Sequence, residues 1–178
     1  MASAAERLKP LIRSIPDFPK PGIVFRDITT LIAHADALRE AVRLMADPFR
    51  DDGIDLVVGI ESRGFIFGAA VAIELGAGFV PIRKPGKLPF KTVRQEYSLE
   101  YGTDTIEMHA DAVGKGRRVL MVDDLLATGG TMAAACRLVE GLGGVVAGTS
   151  FLVELTFLGG REKLGKRRTV ALIGYDSE

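Results

Sequence analysis

The chain has 178 residues, a length that suits one folded domain whose core is stable without disulfides or structural metals. It carries 23 Lys and Arg residues against 23 Asp and Glu residues, so the formal net charge is zero. This balance argues against a nucleic-acid-binding tail, and the apolar runs are too short or too charged for a signal peptide or a membrane span. We expect a single cytoplasmic domain, residues 1–178, that binds neither nucleic acid nor membrane.

The first third of the chain is irregular and then helical. Pro16, Pro19 and Pro21 interrupt the segment "RSIPDFPKPGIVFRDITTLI" and predict an ordered but irregular structure there. The following segment "DALREAVRLMADPFR" predicts a helix over residues 36–50.

From residue 54 onward, apolar runs alternate with amphipathic segments. We predict strands over residues 54–60, 78–83, 117–124 and 145–155, and helices over residues 63–75 and 129–144. The predicted strands are nearly continuous in Val, Ile and Leu, which is typical of a parallel sheet covered on both faces. The sequence therefore predicts an α/β fold, doubly wound, with a mostly parallel sheet flanked by helices.

One long polar segment departs from this alternation. Residues 84–102, "KPGKLPFKTVRQEYSLEYG", are too many and too polar for an ordinary connection between two elements. Polar and apolar residues then alternate over residues 103–113, which predicts the returning strand of a small antiparallel flap.

The stretch "LMVDDLLATGGTM" carries the clearest functional pattern. Asp123 and Asp124 end the predicted strand on its solvent-facing side, where ligands bind in open α/β sheets. A helix predicted to begin at about Gly130 offers free N–H groups to a phosphate, and Thr128 and Thr131 add hydroxyl donors. Paired carboxylates suit a ligand with hydroxyls or a hydrated Mg²⁺, so the pattern predicts a ribose phosphate site. A solvated turn is the alternative for "TGGT" alone, and the pattern is neither a Walker A loop nor a dinucleotide fingerprint.

Histidine and cysteine give little support to other chemistry. Cys136 falls on an apolar helical stripe, which predicts a buried core thiol, with a reactive cysteine as the alternative. His34 and His109 lie in unrelated segments and do not support a zinc site.

The motif "VLMVDDLLATGGT" resembles the 5-phosphoribosyl pyrophosphate (PRPP) binding motif of the type I phosphoribosyltransferases. The segments "IPDFPKPGIVFRDIT", "GIESRGFIFG", "IRKPGKLP", "YSLEYG" and "FLVELTFLGGREKL" resemble the adenine-specific members, in their order. The resemblance implies the type I phosphoribosyltransferase fold, with an N-terminal base-recognition hood (residues 1–34) and a flexible antiparallel lid (residues 84–109). It also implies the conversion of adenine and PRPP to AMP and pyrophosphate with Mg²⁺, in a homodimer.

The resemblance further assigns roles to residues. The ribose hydroxyls would face Asp123 and Asp124, and a loop motif would bind the 5′-phosphate through Ala127, Thr128, Gly129, Gly130 and Thr131. Arg63 would bind pyrophosphate and take part in catalysis, with a non-proline cis peptide expected around Glu61 and Ser62. Further positive charge would come from Arg83, Lys84 and Lys87, although a solvated basic loop remains the alternative for Lys87.

The remaining roles concern the base and the metal. Val24 and Arg26 would bind the edge of adenine through backbone groups, with Phe25 or the Arg26 side chain packing on its face. Glu100 would be the general acid/base. Mg²⁺ would be held by pyrophosphate and ribose oxygens, with no direct protein ligand expected. Transfer to another base, such as xanthine or hypoxanthine, and non-catalytic binding of PRPP by a regulator are the alternatives.

Overall fold

A computed structural model describes residues 3–98 and 102–178. Its helices are α1 (Ala4–Leu8), α2 (Thr29–Ile32), α3 (Ala35–Ala46), α4 (Gly64–Leu75), α5 (Gly130–Gly141) and α6 (Gly160–Leu164). Its strands are β1 (Arg13–Ile15), β2 (Phe25–Asp27), β3 (Leu56–Ile60), β4 (Gly78–Ile82), β5 (Thr92–Ser98), β6 (Thr103–His109), β7 (Arg118–Leu126), β8 (Val145–Leu155) and β9 (Thr169–Tyr175). Single 3₁₀ turns occupy Lys9–Leu11, Asp47–Phe49 and Thr156–Leu158.

The centre of the fold is a five-stranded parallel sheet in the order β4-β3-β7-β8-β9. Side chains of β7 alternate between two cores: Leu120 and Val122 pack with α3 and α4, whereas Val119 and Met121 pack with α5 on the opposite face. The predicted doubly wound α/β fold is therefore confirmed. The prediction stopped at residue 155 and was incomplete, because α6 and the edge strand β9 follow.

Two predicted boundaries were wrong. Strand β7 does not end at the acidic pair but continues to Leu126, which pairs with Glu154 of β8. The ladder continues because its hydrogen bonds come from backbone groups, which a change from apolar to acidic side chains does not remove. The helix predicted over residues 36–50 ends at Ala46 and tightens into a 3₁₀ turn at Pro48, whose ring nitrogen cannot donate a helical hydrogen bond.

The predicted flap is confirmed as an antiparallel hairpin of β5 and β6. Its register places Arg94 opposite Glu107 and Tyr97 opposite Asp104. Backbone hydrogen bonds of 2.9 and 2.8 Å between Arg83 and Glu107 join the hairpin to the end of β4. The hairpin thus begins beside the carboxyl edge of the main sheet.

The N-terminal segment is more regular than predicted. It contains α1, capped by Ser3 and Glu6, and the short antiparallel pair of β1 and β2. Leu8 and Leu31 are among the residues that bury this segment in the core shared with α3. Contacts between α1 and β9 place it at the β9 side of the sheet.

Two further findings concern Cys136 and the length of the helices. Cys136 is fully buried in the core beneath α5, and burial raises the pKa of its thiol to about 11. The predicted core thiol is confirmed. Within residues 3–98 and 102–178, none of the helices has both the length and the apolar character needed to span a bilayer.

Candidate active site

A cavity of about 250 Å³ opens at the carboxyl ends of β3 and β7. Loops that follow parallel strands meet at this edge of the sheet, which explains why segments distant in sequence converge there. Its walls comprise Ile60, Glu61, Ser62, Arg63, Lys84, Tyr97 and the continuous run 123–132.

The wall formed by residues 127–131 is a backbone surface. Gly129 caps α5 with φ +77°, and a Cβ built there would lie 2.2 Å from the carbonyl oxygen of Gly160. A Cβ on Gly160 would in turn lie 2.2 Å from the carbonyl oxygen of Ala127. Glycine is required at both positions because the two backbones touch. The predicted start of the helix at Gly130 is confirmed, and its free N–H groups begin at the cavity.

Asp123 and Asp124 line the cavity, where Asp123 is half-buried and Asp124 does not face open solvent as predicted. Asp124 is only 4% exposed. Its Oδ2 lies 3.0 Å from Nε of Arg63, yet it accepts no hydrogen bond from the described residues. Asp123 Oδ1 accepts a 2.9 Å hydrogen bond from the Asp124 amide and approaches the first turn of α4, where Gly64 leaves room for it.

Burial makes this pair electrostatically unfavourable. It raises the pKa of Asp123 well above the usual aspartate value, and the neighbouring charge of Asp124 raises it further. Burial likewise raises the pKa of Asp124, although Arg63 opposes the rise. The site therefore favours whatever brings positive charge or hydroxyl donors to these oxygens.

A basic loop, residues 83–87, borders the cavity on the β4 side. Glu61 clamps it: Oε2 accepts from Arg83 Nε at 2.9 Å and from the Lys84 amide at 3.1 Å, and Oε1 pairs with Lys87 Nζ at 2.9 Å. The expected cis peptide is confirmed between Glu61 and Ser62. Burial disfavours the Glu61 anion, but the bonds from Lys87, Lys84 and Arg83 outweigh burial and lower its pKa.

Lys84 also contacts the β5–β6 hairpin. Its ammonium is ion-paired with Asp104 and lies 3.3 Å from the hydroxyl of Tyr97. That hydroxyl donates to Asp104 Oδ2 at 3.0 Å. Lys84 lines the cavity, whereas Arg83 and Lys87 do not.

The hood residues lie behind Arg63 rather than in the cavity wall. The Phe25 ring lies 5.1 Å from the Arg63 guanidinium. The Arg26 side chain turns away, stacking 4.0 Å over Tyr175 and donating to Ser14 Oγ at 2.6 Å. The Val24 amide donates to Oε2 of Glu178 at 2.8 Å.

The predicted site residues therefore divide into three groups. The cavity wall includes Arg63, Lys84, Asp123, Asp124, Ala127, Thr128, Gly129, Gly130 and Thr131. Outside it, the structure places Val24, Phe25, Arg26, Arg83 and Lys87. Glu100 lies outside the described residues.

Sequence reasoning missed Tyr97, Asp104 and the clamping role of Glu61. Tyr97 and Asp104 lie beside Lys84 because the register of the hairpin places them opposite each other. Their spacing along the chain does not reveal this pairing.

The described residues provide no protein-held metal centre. Within residues 3–98 and 102–178, no group of three or more His, Cys, Asp and Glu side chains could hold a metal ion. The two adjacent carboxylates in the cavity wall nevertheless fit a hydrated divalent cation that a ligand brings with it.

Comparisons with known proteins agree with this geometry. The family model described as phosphoribosyl transferase domain matches residues 27–170. An adenine phosphoribosyltransferase of Solibacter usitatus is 57% identical over 95% of this chain and 98% of its own. The crystal structure of adenine phosphoribosyltransferase from Thermoanaerobacter pseudethanolicus superimposes with a TM-score of 0.93 at 53% identity, over 96% of this chain and 99% of that one. The crystal structure of adenine phosphoribosyltransferase from Saccharomyces cerevisiae was solved with adenine and D-2,5-dideoxy-2,5-imino-altritol 1,6-bisphosphate. It superimposes with a TM-score of 0.90 at 40% identity, over 97% of this chain and 99% of that one. The chain belongs to the adenine phosphoribosyltransferase family.

Proposed function

We propose that the protein transfers the 5-phosphoribosyl group of PRPP to adenine, giving AMP and pyrophosphate in purine salvage. One observation carries the proposal: a single cavity joins a backbone phosphate cradle, an acidic pair and a basic loop. PRPP presents a phosphate, ribose hydroxyls and a pyrophosphate in that order, and each matches one of these walls.

The cradle at residues 127–131 suits the 5′-phosphate, because the amides at the start of α5 donate to it and the helix dipole favours negative charge. Asp123 and Asp124 then accept from the 2′- and 3′-hydroxyls. The place of both carboxylates in the cavity wall supports this role, since carboxylate oxygens accept hydrogen bonds from hydroxyl donors. Arg63 and Lys84 lie nearest the pyrophosphate, with Arg83 and Lys87 behind them.

The base belongs between this cavity and the hood. The Phe25 ring contacts Arg63 and is therefore the better placed of the two predicted stacking surfaces. The Arg26 guanidinium stacks on Tyr175 and donates to Ser14 and Ser177 through its two terminal nitrogens, so we assign the adenine edge to its backbone. The Val24 amide becomes available when Glu178 releases it.

In the reaction, purine N9 attacks the anomeric carbon as the bond from that carbon to pyrophosphate breaks, with inversion. Arg63 and Lys84 stabilise the charge that develops on the departing pyrophosphate, and the cradle fixes the other end of the ribose. Glu100 accepts the proton that the purine loses. The lid, residues 84–109, keeps water from the ribosyl centre.

Mg²⁺ completes the proposed site. When bound it neutralises part of the pyrophosphate charge, which promotes departure of that group. Asp123 and Asp124, which line the cavity, would hold it through water. Arg63 lies 3.0 Å from Asp124 Oδ2 and pairs with that carboxylate.

We also propose a homodimer formed through α4 and β4. Ile73 is 83% exposed and shares the outer stripe of α4 with Ile66 and Ala69. β4 beside it is an edge strand of the sheet. An apolar helix face next to an unpaired strand edge favours burial against a second copy.

Replacing Ile73 tests the dimer. Ile73→Lys places a charge in the buried contact twice per dimer and should raise the dimer dissociation constant by at least about tenfold. Val145→Lys is the control, because Val145 is also exposed but lies on β8. Sedimentation equilibrium measures both, and equal dissociation constants would exclude this face.

Replacing both aspartates by asparagine separates binding from folding. Asp123→Asn with Asp124→Asn should weaken PRPP binding about 10- to 100-fold by calorimetry, since charge-assisted hydrogen bonds are lost. The raised pKa values mean that the folded chain binds protons more tightly than the unfolded one, so the charged pair costs stability as pH rises above about 4.

The double variant should therefore melt a few degrees higher than the wild type at neutral pH. The difference should shrink towards about pH 4, where the unfolded carboxyls also become protonated. Asp51→Asn with Asp111→Asn, at two exposed sites, makes the same change in net charge and is the control. A lower melting temperature in the double variant would instead make the pair structural.

Glu100→Gln tests the general acid/base. It removes proton transfer and should lower kcat by roughly 10²- to 10⁴-fold, with PRPP affinity little changed. Glu96→Gln, an exposed residue of β5, makes the same charge change without this role. Unaltered kcat in the Glu100 variant would remove this residue from the chemistry.

A pyrophosphate-release assay with one base at a time tests the function itself. Adenine should support turnover, whereas hypoxanthine and xanthine should not. Turnover of hypoxanthine without adenine would identify a phosphoribosyltransferase for another base. Binding of PRPP with no turnover of any base would favour the regulator.

A further inference from the structure

Lys84 faces the cavity with its charge already neutralised. Its ammonium is ion-paired with Asp104, which belongs to strand β6 of the hairpin rather than to the basic loop. Burial disfavours the charged lysine, but the hydrogen bonds that it donates to Asp104 and Tyr97 outweigh burial and raise the pKa of Lys84. Both partners are therefore charged at neutral pH.

The other loop cations have a different kind of partner. Arg83 and Lys87 share Glu61, whose side chain is 11% exposed and is also held by the Lys84 amide. Withdrawing Glu61 would leave a nearly buried carboxylate without several donors, at a high free-energy cost. The Glu61 clamp is thus a fixed part of the loop.

Asp104 can be released at much lower cost. Its Oδ1 accepts from the Thr105 amide at 2.8 Å and its Oδ2 accepts from the Tyr97 hydroxyl at 3.0 Å. Both hydrogen bonds remain when the lysine leaves. The side chain is also 30% exposed, so water can replace the lost donor.

We infer that Asp104 is a displaceable counter-ion, which holds the Lys84 ammonium at the cavity wall until pyrophosphate oxygens replace it. Pyrophosphate carries more charge and more acceptor oxygens than one carboxylate, so it competes successfully for the three ammonium donors. On release of the product, Asp104 pairs with Lys84 again. Asp104 is therefore a positioning residue that acts through Lys84. The inference rests on the proposed placement of pyrophosphate beside Lys84.

The inference is tested by whether replacing Asp104 strengthens or weakens the binding of magnesium pyrophosphate. Asp104→Asn removes the competing charge, so the dissociation constant of magnesium pyrophosphate, measured by titration calorimetry, should fall about three- to tenfold. A residue that only supported the lysine structurally would give weaker binding. Unchanged or weaker binding would overturn the inference.

Two comparisons make the result specific. Glu96→Gln removes one negative charge from the same hairpin, away from Lys84, and should leave the constant unchanged. In a Lys84→Gln background, Asp104→Asn should have no effect, because the competition runs through the lysine. Tighter binding in the Glu96 variant, or a persistent effect without Lys84, would show a general charge effect and overturn the inference.

Asp104→Ser repeats the test if the asparagine variant is unstable. Loss of folding in both variants would make Asp104 a structural residue and overturn the inference.

Failure of the proposed function gives a different result. Wild-type protein would then bind magnesium pyrophosphate without converting adenine, and the Asp104 comparison would still be measurable by calorimetry.

Discussion

The rest of the site depends on the burial of two adjacent carboxylates. Asp124 is nearly buried and Asp123 half-buried, so water screens their repulsion poorly and the folded chain pays for this arrangement before any ligand binds. The surrounding structure limits the cost: Arg63 lies 3.0 Å from Asp124, and Gly64 lets Asp123 approach the positive end of α4. In the proposed function, ligand hydroxyls would relieve what remains of the cost, which would make binding selective for them.

On the basic side of the site, by contrast, each charged side chain is paired with one of opposite charge. Around the loop, Arg83, Lys84 and Lys87 are paired with only two carboxylates, Glu61 and Asp104, so one net positive charge remains among these five side chains. The chain as a whole is formally neutral. In the proposed function, recognition of pyrophosphate would therefore depend on which oxygens fit the positions already set by these pairs rather than on net charge alone.

Much of the fold and part of the site could be predicted from the sequence. Alternating apolar runs predict the parallel sheet, and "ATGGT" predicts a cradle at the start of α5, because both patterns express local backbone preferences. The continuation of β7 past Asp124 could not be predicted, since a hydrogen-bond ladder leaves no mark in the side chains. The pairing of Tyr97 with Asp104 and the stacking of Arg26 on Tyr175 depend on register and tertiary contact.

The contact between the backbones of Gly129 and Gly160 has a consequence for biosynthesis. The cradle is encoded by residues 127–131, yet a segment about thirty residues further along the chain forms part of its packing. A nascent chain that has emerged only as far as α5 contains the complete motif but lacks the surface against which the motif is shaped. We therefore expect the wall formed by residues 127–131 to take its final shape only after β8 and the Gly160 turn have been synthesised.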